Sequence, residues 1–194
     1  MQMISDLDLV SRVQSGDDTA FNELMRRHFR SVVNFVYRFT NNKESSEDLA
    51  QDVFLRVYRS IGNFKPEAKF TTWLYRITTN VCITALKSSA KRRELSLDEM
   101  QEASQEVSYE NAQSTAEYTF RKEIGIAIHV ALERLPEREK VAVVLCKYQQ
   151  MPYDEAAEVI GCSVGAVKAY VYRGRMKLMD ILKPYLSEDL SHGA

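Results

Sequence analysis

The chain has 194 residues, of which 45% are hydrophobic and 27% charged, with only seven Gly and four Pro. That is enough to bury a core in one large or two small domains, and it offers little of the turn chemistry a β fold needs. The formal net charge is −1, which excludes a uniformly basic or acidic surface.

Local charge is far from even. Residues 56–93 carry nine Lys/Arg against one Glu, residues 94–123 carry eight Asp/Glu against two cations, and residues 161–183 carry five Lys/Arg against one Asp. Two basic stretches separated by an acidic one suggest two surfaces for polyanions, although solvated helix faces give the plainer explanation. No run approaches the ~18 apolar residues of a membrane span. The opening MQMISDLDLV lacks the apolar core of a secretory leader, so a cytoplasmic protein without membrane insertion is expected. Cys82, Cys146 and Cys162 form no CxxC pair and read as small thiols in a reducing compartment.

In chain order, apolar spacing predicts a short helix with Leu7, Val10 and Val13, closed by Gly16. Asp17 or Asp18 can cap a longer one bearing Phe21, Leu24, Val32, Phe35, Val36 and Phe39. The polar TNNKESS is expected to interrupt the helical pattern, which resumes in EDLAQDVFLRVYRSI with Leu49, Val53, Val57 and Ile61 inward. Glu44, Glu47, Asp48, Gln51 and Asp52 crowd its start, where carboxylates suit the helix dipole and can equally serve a partner. Gly62 is expected to end it, GNFKPEAK forms a loop, and FTTWLYRITTNVCITALK is a further helix.

On that helix ~100° per residue places Trp73, Ile77, Asn80 and Thr84 on one stripe, with Arg76 and Lys87 along its border. With Phe64 and Phe70 nearby, the stripe can stack an unpaired base and bond it through the amide. Ordinary core packing of Trp73 and Ile77 is the competing reading, and aromatics are usually buried.

Between about Lys91 and Thr115 the sequence is rich in Ser, Glu and Gln without apolar period, and it is expected to be a flexible linker. Helical period returns near Tyr118, breaks at Pro136 and again at Met151-Pro152, and leads into YDEAAEVI-GCS-VGAVKAYVYRGRMKL. Two helices about a three-residue turn containing Gly have the spacing of a helix-turn-helix. Gly161 can supply a positive backbone angle and Ser163 an N-cap. Val167, Tyr170, Val171, Gly174 and Leu178 form the inward stripe, with Gly174 allowing a neighbouring helix to approach. Lys168, Ala169, Tyr172, Arg173 and Met176 face the other way, flanked by Arg175 and Lys177. Such a face suits the major groove, and a hairpin with a basic exposed side remains the alternative. The expected class is therefore all-α: a helical domain over residues 1–92, a linker over 93–116 and a helix-turn-helix domain over 117–194.

Taken together the segments resemble the extracytoplasmic function (ECF) sigma factors of bacterial RNA polymerase. DLDLVSRVQSGDDTAFNELMRRHFRSVVNFVYRFTNN is similar to the family's first conserved region, EDLAQDVFLRVYRSIGNF to its core-binding helix and KFTTWLYRITTNVCITALK to its melting segment. LERLPEREKVAVVL with the helix-turn-helix that follows is similar to its terminal DNA-reading domain. The resemblance implies core polymerase binding by Asp48, Gln51 and Asp52, and capture of a flipped −10 base by Phe64, Trp73, Arg76, Ile77 and Asn80. It further implies −35 recognition by Lys168, Ala169, Tyr172, Arg173 and Arg175. Promoter DNA, core polymerase and an anti-sigma factor are the partners it implies, the free chain being monomeric or held in the anti-sigma complex, and its usual setting is a stress or envelope response. No catalytic residue, metal or cofactor is expected. Where relatives often carry Asp and Arg after the pocket amide this chain has Thr84 and Lys87, and Ala169-Tyr170 replaces a common Ser-Arg pair, so base preference does not carry over. Tyr170 is assigned to packing. A stand-alone helix-turn-helix regulator is the rival, and it leaves the aromatic-basic first block unexplained. An enzyme has less support, since no phosphate-binding Gly loop or HExxH is present and His28, His129 and His192 lack ligand spacing.

Overall fold

The structure, a computed structural model, describes residues 4–96 and 116–187, with side chains over 4–89 and 124–184. Every regular element among the described residues is helical. The front half holds α1 (Asp6–Gln14), α2 (Asp18–Thr40), α3 (Lys43–Ser60), a 3-10 turn (Ile61–Asn63) and α4 (Phe70–Ser96). The rear half holds α5 (Ala116–Glu133), α6 (Glu137–Val143), a π turn (Val144–Tyr148), α7 (Tyr153–Ile160) and α8 (Val164–Ser187).

Local chemistry sets these boundaries. Ser5 and Asp8 close a capping box on α1, with Asp8 N–H donating to Ser5 Oγ at 3.1 Å. Of the two candidate caps for α2 it is Asp17 that serves, accepting from Thr19 and Ala20 N–H. The expected interruption at TNNKESS is shorter than its composition suggests. Asn41 takes a left-handed angle (φ 51°), and Asn42 then caps α3 by accepting from Ser45 N–H at 2.9 Å, so the helix already begins at Lys43. Gly62 does not end α3 by itself; it lies inside the 3-10 turn that follows Ser60. Gln14 pins that turn to α1, donating through Nε2 to the carbonyls of Ile61 (2.9 Å) and Phe64 (3.0 Å).

Most of the expected inward residues of α2 and α3 are buried, Leu24, Val32, Phe35, Val36 and Phe39 on one and Val53 and Val57 on the other, while Phe21 and Leu49 are half-buried at the core's edge. Each of the buried ones contributes roughly 1.5–3 kcal/mol by leaving water. Helix α4 packs on α2 and α3 and, along another side, on α7 of the rear half. It extends to Ser96, past the expected domain end at 92. The expected linker otherwise falls on residues outside those described.

The two halves meet along a polar seam. Lys69 Nζ and Thr72 Oγ1 both donate to Glu155 (2.6 and 3.1 Å), and Tyr75 OH donates to Gln149 Oε1 at 2.6 Å. The Arg38 guanidinium lies 3.5 Å from the Tyr148 ring centroid, and Tyr37 meets His129 edge-on at 4.4 Å. Lys140, only 4% exposed, crosses from α6 to donate to the Phe39 carbonyl at 3.2 Å, in the last turn of α2.

Candidate nucleic-acid interface

The turn between α7 and α8 is built as its sequence suggests. Gly161 adopts φ 72°, and Ser163 Oγ accepts from Ala166 N–H at 3.2 Å. Val167, Val171 and Gly174 are buried, while Tyr170 and Leu178 pack partly buried against the same core. A Cβ on Gly174 would stand 2.7 Å from Val143 Cγ2 and 3.5 Å from the Glu139 carbonyl, so the missing side chain is what lets α6 lie against α8.

The outer face of α8 carries Lys168, Tyr172, Arg173, Arg175 and Met176 exposed, with Ala169 half-buried beside them. Tyr172 is 67% exposed and presents both an apolar ring and a hydroxyl to solvent. Arg173 is not loose. Its Nε donates to Glu139 Oε1 at 3.1 Å, and its guanidinium sits 5.2 Å from the Tyr170 ring centroid. Lys177 Nζ donates to the other oxygen of Glu139 at 2.9 Å. Burial would raise the Glu139 carboxyl, but the bonds from Lys177 and Arg173 outweigh it and hold the group below its ordinary range. Tyr170 also accepts from Arg138 through its hydroxyl (3.3 Å), in keeping with a packing role.

On α4 the stripe divides by depth. Trp73 and Ile77 are half-buried, whereas Asn80, Thr84 and Arg76 are exposed. Phe64 is buried, with its ring centroid 5.2 Å from Trp73 and 6.3 Å from Phe70 in edge-to-face contacts. The side chain expected to line the pocket therefore lies beneath Trp73 and braces it. Thr84 Oγ1 donates to the Asn80 carbonyl at 2.8 Å, and the Asn80 amide bonds no other described residue. The stripe and the seam occupy different sides of α4: Thr72 and Tyr75 bond the rear half, while Asn80 faces solvent.

Asp48, Gln51 and Asp52 are all exposed on α3. Sequence reasoning missed two neighbours, Leu55 (53% exposed) and Tyr58 (48%). They extend the same face at helical spacing, and exposed apolar side chains rimmed by acids mark a contact surface. Tyr58 is held by a hydrogen bond to Asp18 Oδ1 (3.0 Å) and an edge contact with Phe21. Glu139 and Gln14 were missed as well. In EREK, where acids and bases alternate, Glu139 reads as one more surface charge, and nothing near Gln14 marks it.

Two family models match these regions: Sigma-70 region 2 over residues 24–93, and Sigma-70 region 4 over residues 126–178. Among relatives, the RNA polymerase sigma-H factor of Pseudomonas aeruginosa is 30% identical, over 94% of this chain and 96% of its own. The ECF RNA polymerase sigma factor SigE of Mycolicibacterium smegmatis is 33% identical, over 90% of this chain and 67% of its own. Among solved structures, CnrH in complex with the cytosolic domain of CnrY matches 93% of this chain and 99% of its own, at 25% identity and a TM-score of 0.69. Fold and matches together define a two-domain helical protein of the sigma-70 type. Within that class, the chain belongs to the ECF sigma factors of RNA polymerase.

Among the described residues no helix is long and apolar enough to cross a membrane.

Proposed function

We propose that this chain acts in the cytoplasm by binding bacterial core RNA polymerase, directing it to promoters and opening them, and that it performs no covalent chemistry itself. Its working units are residues 1–92 for the core and the −10 element and residues 117–194 for the −35 element, joined by 93–116. Asp48, Gln51 and Asp52, with Leu55 beside them, take the core enzyme. The α8 face reads duplex DNA at −35: Arg173, Arg175 and Lys168 supply donors for guanine edges and phosphates, and Tyr172 and Ala169 supply apolar contact. At −10 a base leaves its stack and settles against Trp73 and Ile77, with the Asn80 amide bonding its edge, Arg76 beside the backbone and Phe64 bracing from below. Unstacking costs a few kcal/mol, offset by stacking on the ring and bonds in the pocket.

One observation carries this reading: a single chain exposes two faces of different chemistry on separate helices, a half-buried tryptophan with an exposed amide on α4 and a cationic, phenolic face on α8. The first suits a separated strand and the second suits paired DNA. Silent in the absence of its signal, such a subunit is expected to be held by an anti-sigma protein, as CnrH is bound by the cytosolic domain of CnrY in the similar structure. A stress or envelope response is the setting this implies.

The test is run-off transcription with purified core enzyme, followed by permanganate mapping of unpaired thymines. Loss of a stacking ring is worth about 1–3 kcal/mol per base, so Trp73→Ala should lower open-complex yield by about fivefold or more while core binding persists. Asn80→Ala should do the same more weakly. Wild-type melting in both variants would dismiss the pocket. Tight sequence-specific duplex binding by the chain alone, with no transcription on adding core, would favour the stand-alone regulator.

A further inference from the structure

Two of the cations on α8 turn toward their own domain. Arg173 and Lys177 stand one turn apart and close on the two oxygens of Glu139, at 3.1 and 2.9 Å. The Glu139 side chain is 8% exposed, while those of Arg173 and Lys177 are 51% and 46% exposed. The carboxylate is thus interior and the cations are at the surface. Glu139 reaches them because Gly174, between the two, removes the side chain that would have met Val143 and the Glu139 backbone.

Stability is a weak reason for this arrangement. A buried ion pair seldom outperforms apolar packing of similar volume, and Val143 already packs against α8 here. Recognition gives a stronger one. A free arginine side chain samples many rotamers, and much of that freedom is lost on docking. Arg173 is held at Nε by Glu139 and at its face by the Tyr170 ring, itself fixed through Arg138. Of the five N–H donors of a guanidinium, the four on the terminal nitrogens are the fork that meets guanine O6 and N7. Only Nε is committed to Glu139.

We propose that Glu139 is a positioning residue for promoter recognition: it presets Arg173 for base-edge readout and, by neutralising Arg173 and Lys177, restrains their indiscriminate attraction to phosphate. This rests on the reading of α8 as the −35 helix. A structural strut predicts that removing the carboxylate weakens binding to every sequence alike. A positioning role predicts that discrimination falls while non-specific binding strengthens.

The experiment uses holoenzyme reconstituted from the full chain and bacterial core polymerase. Duplexes are first selected from a randomised library with the wild-type chain. Binding of the winning duplex and of its copy with a scrambled upstream element is then measured from about 50 to 200 mM salt, the range over which phosphate contacts weaken strongly. Glu139→Gln should lower the cognate-to-scrambled ratio by about three- to tenfold, the cost of ordering one side chain at the moment of binding. Its scrambled-duplex affinity should rise, with a log–log salt slope steeper by about one, as when one more phosphate is neutralised. An unchanged ratio, or equal weakening on both duplexes with a shallower slope, overturns the proposal. Should Glu139→Gln melt below the assay temperature, Glu139→Asp carries the same test, since it keeps the charge but shortens the reach: the ratio must fall while the slope stays. Arg173→Ala separates the two levels of inference. If it leaves the ratio intact, the −35 assignment of Arg173 falls and this proposal with it. If it lowers the ratio and neither Glu139 variant does, only the proposal falls.

Discussion

Glu139 and Lys140 are neighbours in the chain, both buried, both charged, and they live in opposite circumstances. Glu139 faces α8 of its own domain and accepts from two cations. Lys140 faces the other half of the molecule, where its ammonium donates to the Phe39 carbonyl, with the Phe39 ring 4.9 Å from Nζ. Burial pushes its ammonium below the ordinary lysine range, only partly countered by Glu133 and Cys82. Arg38 and His129 crowd the same seam, and Arg38 Nε and His129 Nδ1 are buried without hydrogen-bond partners among the described residues. The joint inside the rear half is therefore satisfied, whereas the joint between halves buries the cations Arg38 and Lys140 with no salt bridge to either among the described residues. A polar interdomain contact with unpaired buried donors is expected to open far more readily than a packed core. That suits the proposed function, in which the α4 and α8 faces fit one promoter.

Breaking the tighter joint should cost most. Gly174→Val places methyl groups where a Cβ alone already meets Val143 at 2.7 Å, and overpacking of this kind costs about 1–3 kcal/mol. The rear half should melt earlier, and −35 discrimination should suffer along with it. A variant as stable as wild type in urea melts would mean that α6 and α8 are not held at this distance in solution. Lys140→Met makes the opposite probe of the seam. It forfeits a charge-assisted hydrogen bond worth about 1.5–3 kcal/mol but relieves the desolvation of an ammonium with little to compensate it. The net change should lie within about 1 kcal/mol of zero, with scattering profiles at least as compact as wild type. A loss comparable to that of Gly174→Val would show the lysine to be a true fastening.

How much of this was legible beforehand follows the same division. Elements dictated by periodicity and by local caps were readable: the inward stripes of α2, α3 and α8, the left-handed Gly161, the Ser163 cap and the closeness allowed by Gly174. Asn42 misled, because a run of polar residues reads as an interruption until one of them is seen to cap the next helix. The π turn at 144–148 leaves no mark in apolar spacing. Phe64 was readable as an aromatic near Trp73, but its depth was not, since Gln14 sets that by tying down the turn from forty-seven residues earlier in the chain. Glu139 and Lys140 were illegible, and the depth of His129 open between surface and partial burial, for one shared reason. Charged and polar residues on helices default to solvent, and only tertiary packing tells which of them have been drawn inside.

His129 gives the seam a dependence on acidity, and this is the mildest of the expected effects. Burial, with Arg38 and Lys140 close by, lowers its pKa from the ordinary 6.5, so the folded chain holds it neutral. Where the seam opens or the chain unfolds, the ring returns to water and takes up a proton first. Stability rises with pH wherever the less ordered state binds more protons. The joint is thus undiminished above the ordinary value, and its strength is lost progressively as pH falls below it. The lowered carboxyls of Asp6 and Glu139 start from 3.8 and 4.5, and the raised Tyr75 and Cys82 lie at about 12, so none of these titrates in that window. Urea melts between about pH 8 and pH 5.5, the range in which an imidazole changes charge, should show declining stability in the wild type and a flatter profile in His129→Leu, whose apolar side chain keeps contact with Tyr37. An equal decline in both would assign the acid sensitivity to another group and leave the seam's buried cations without this consequence.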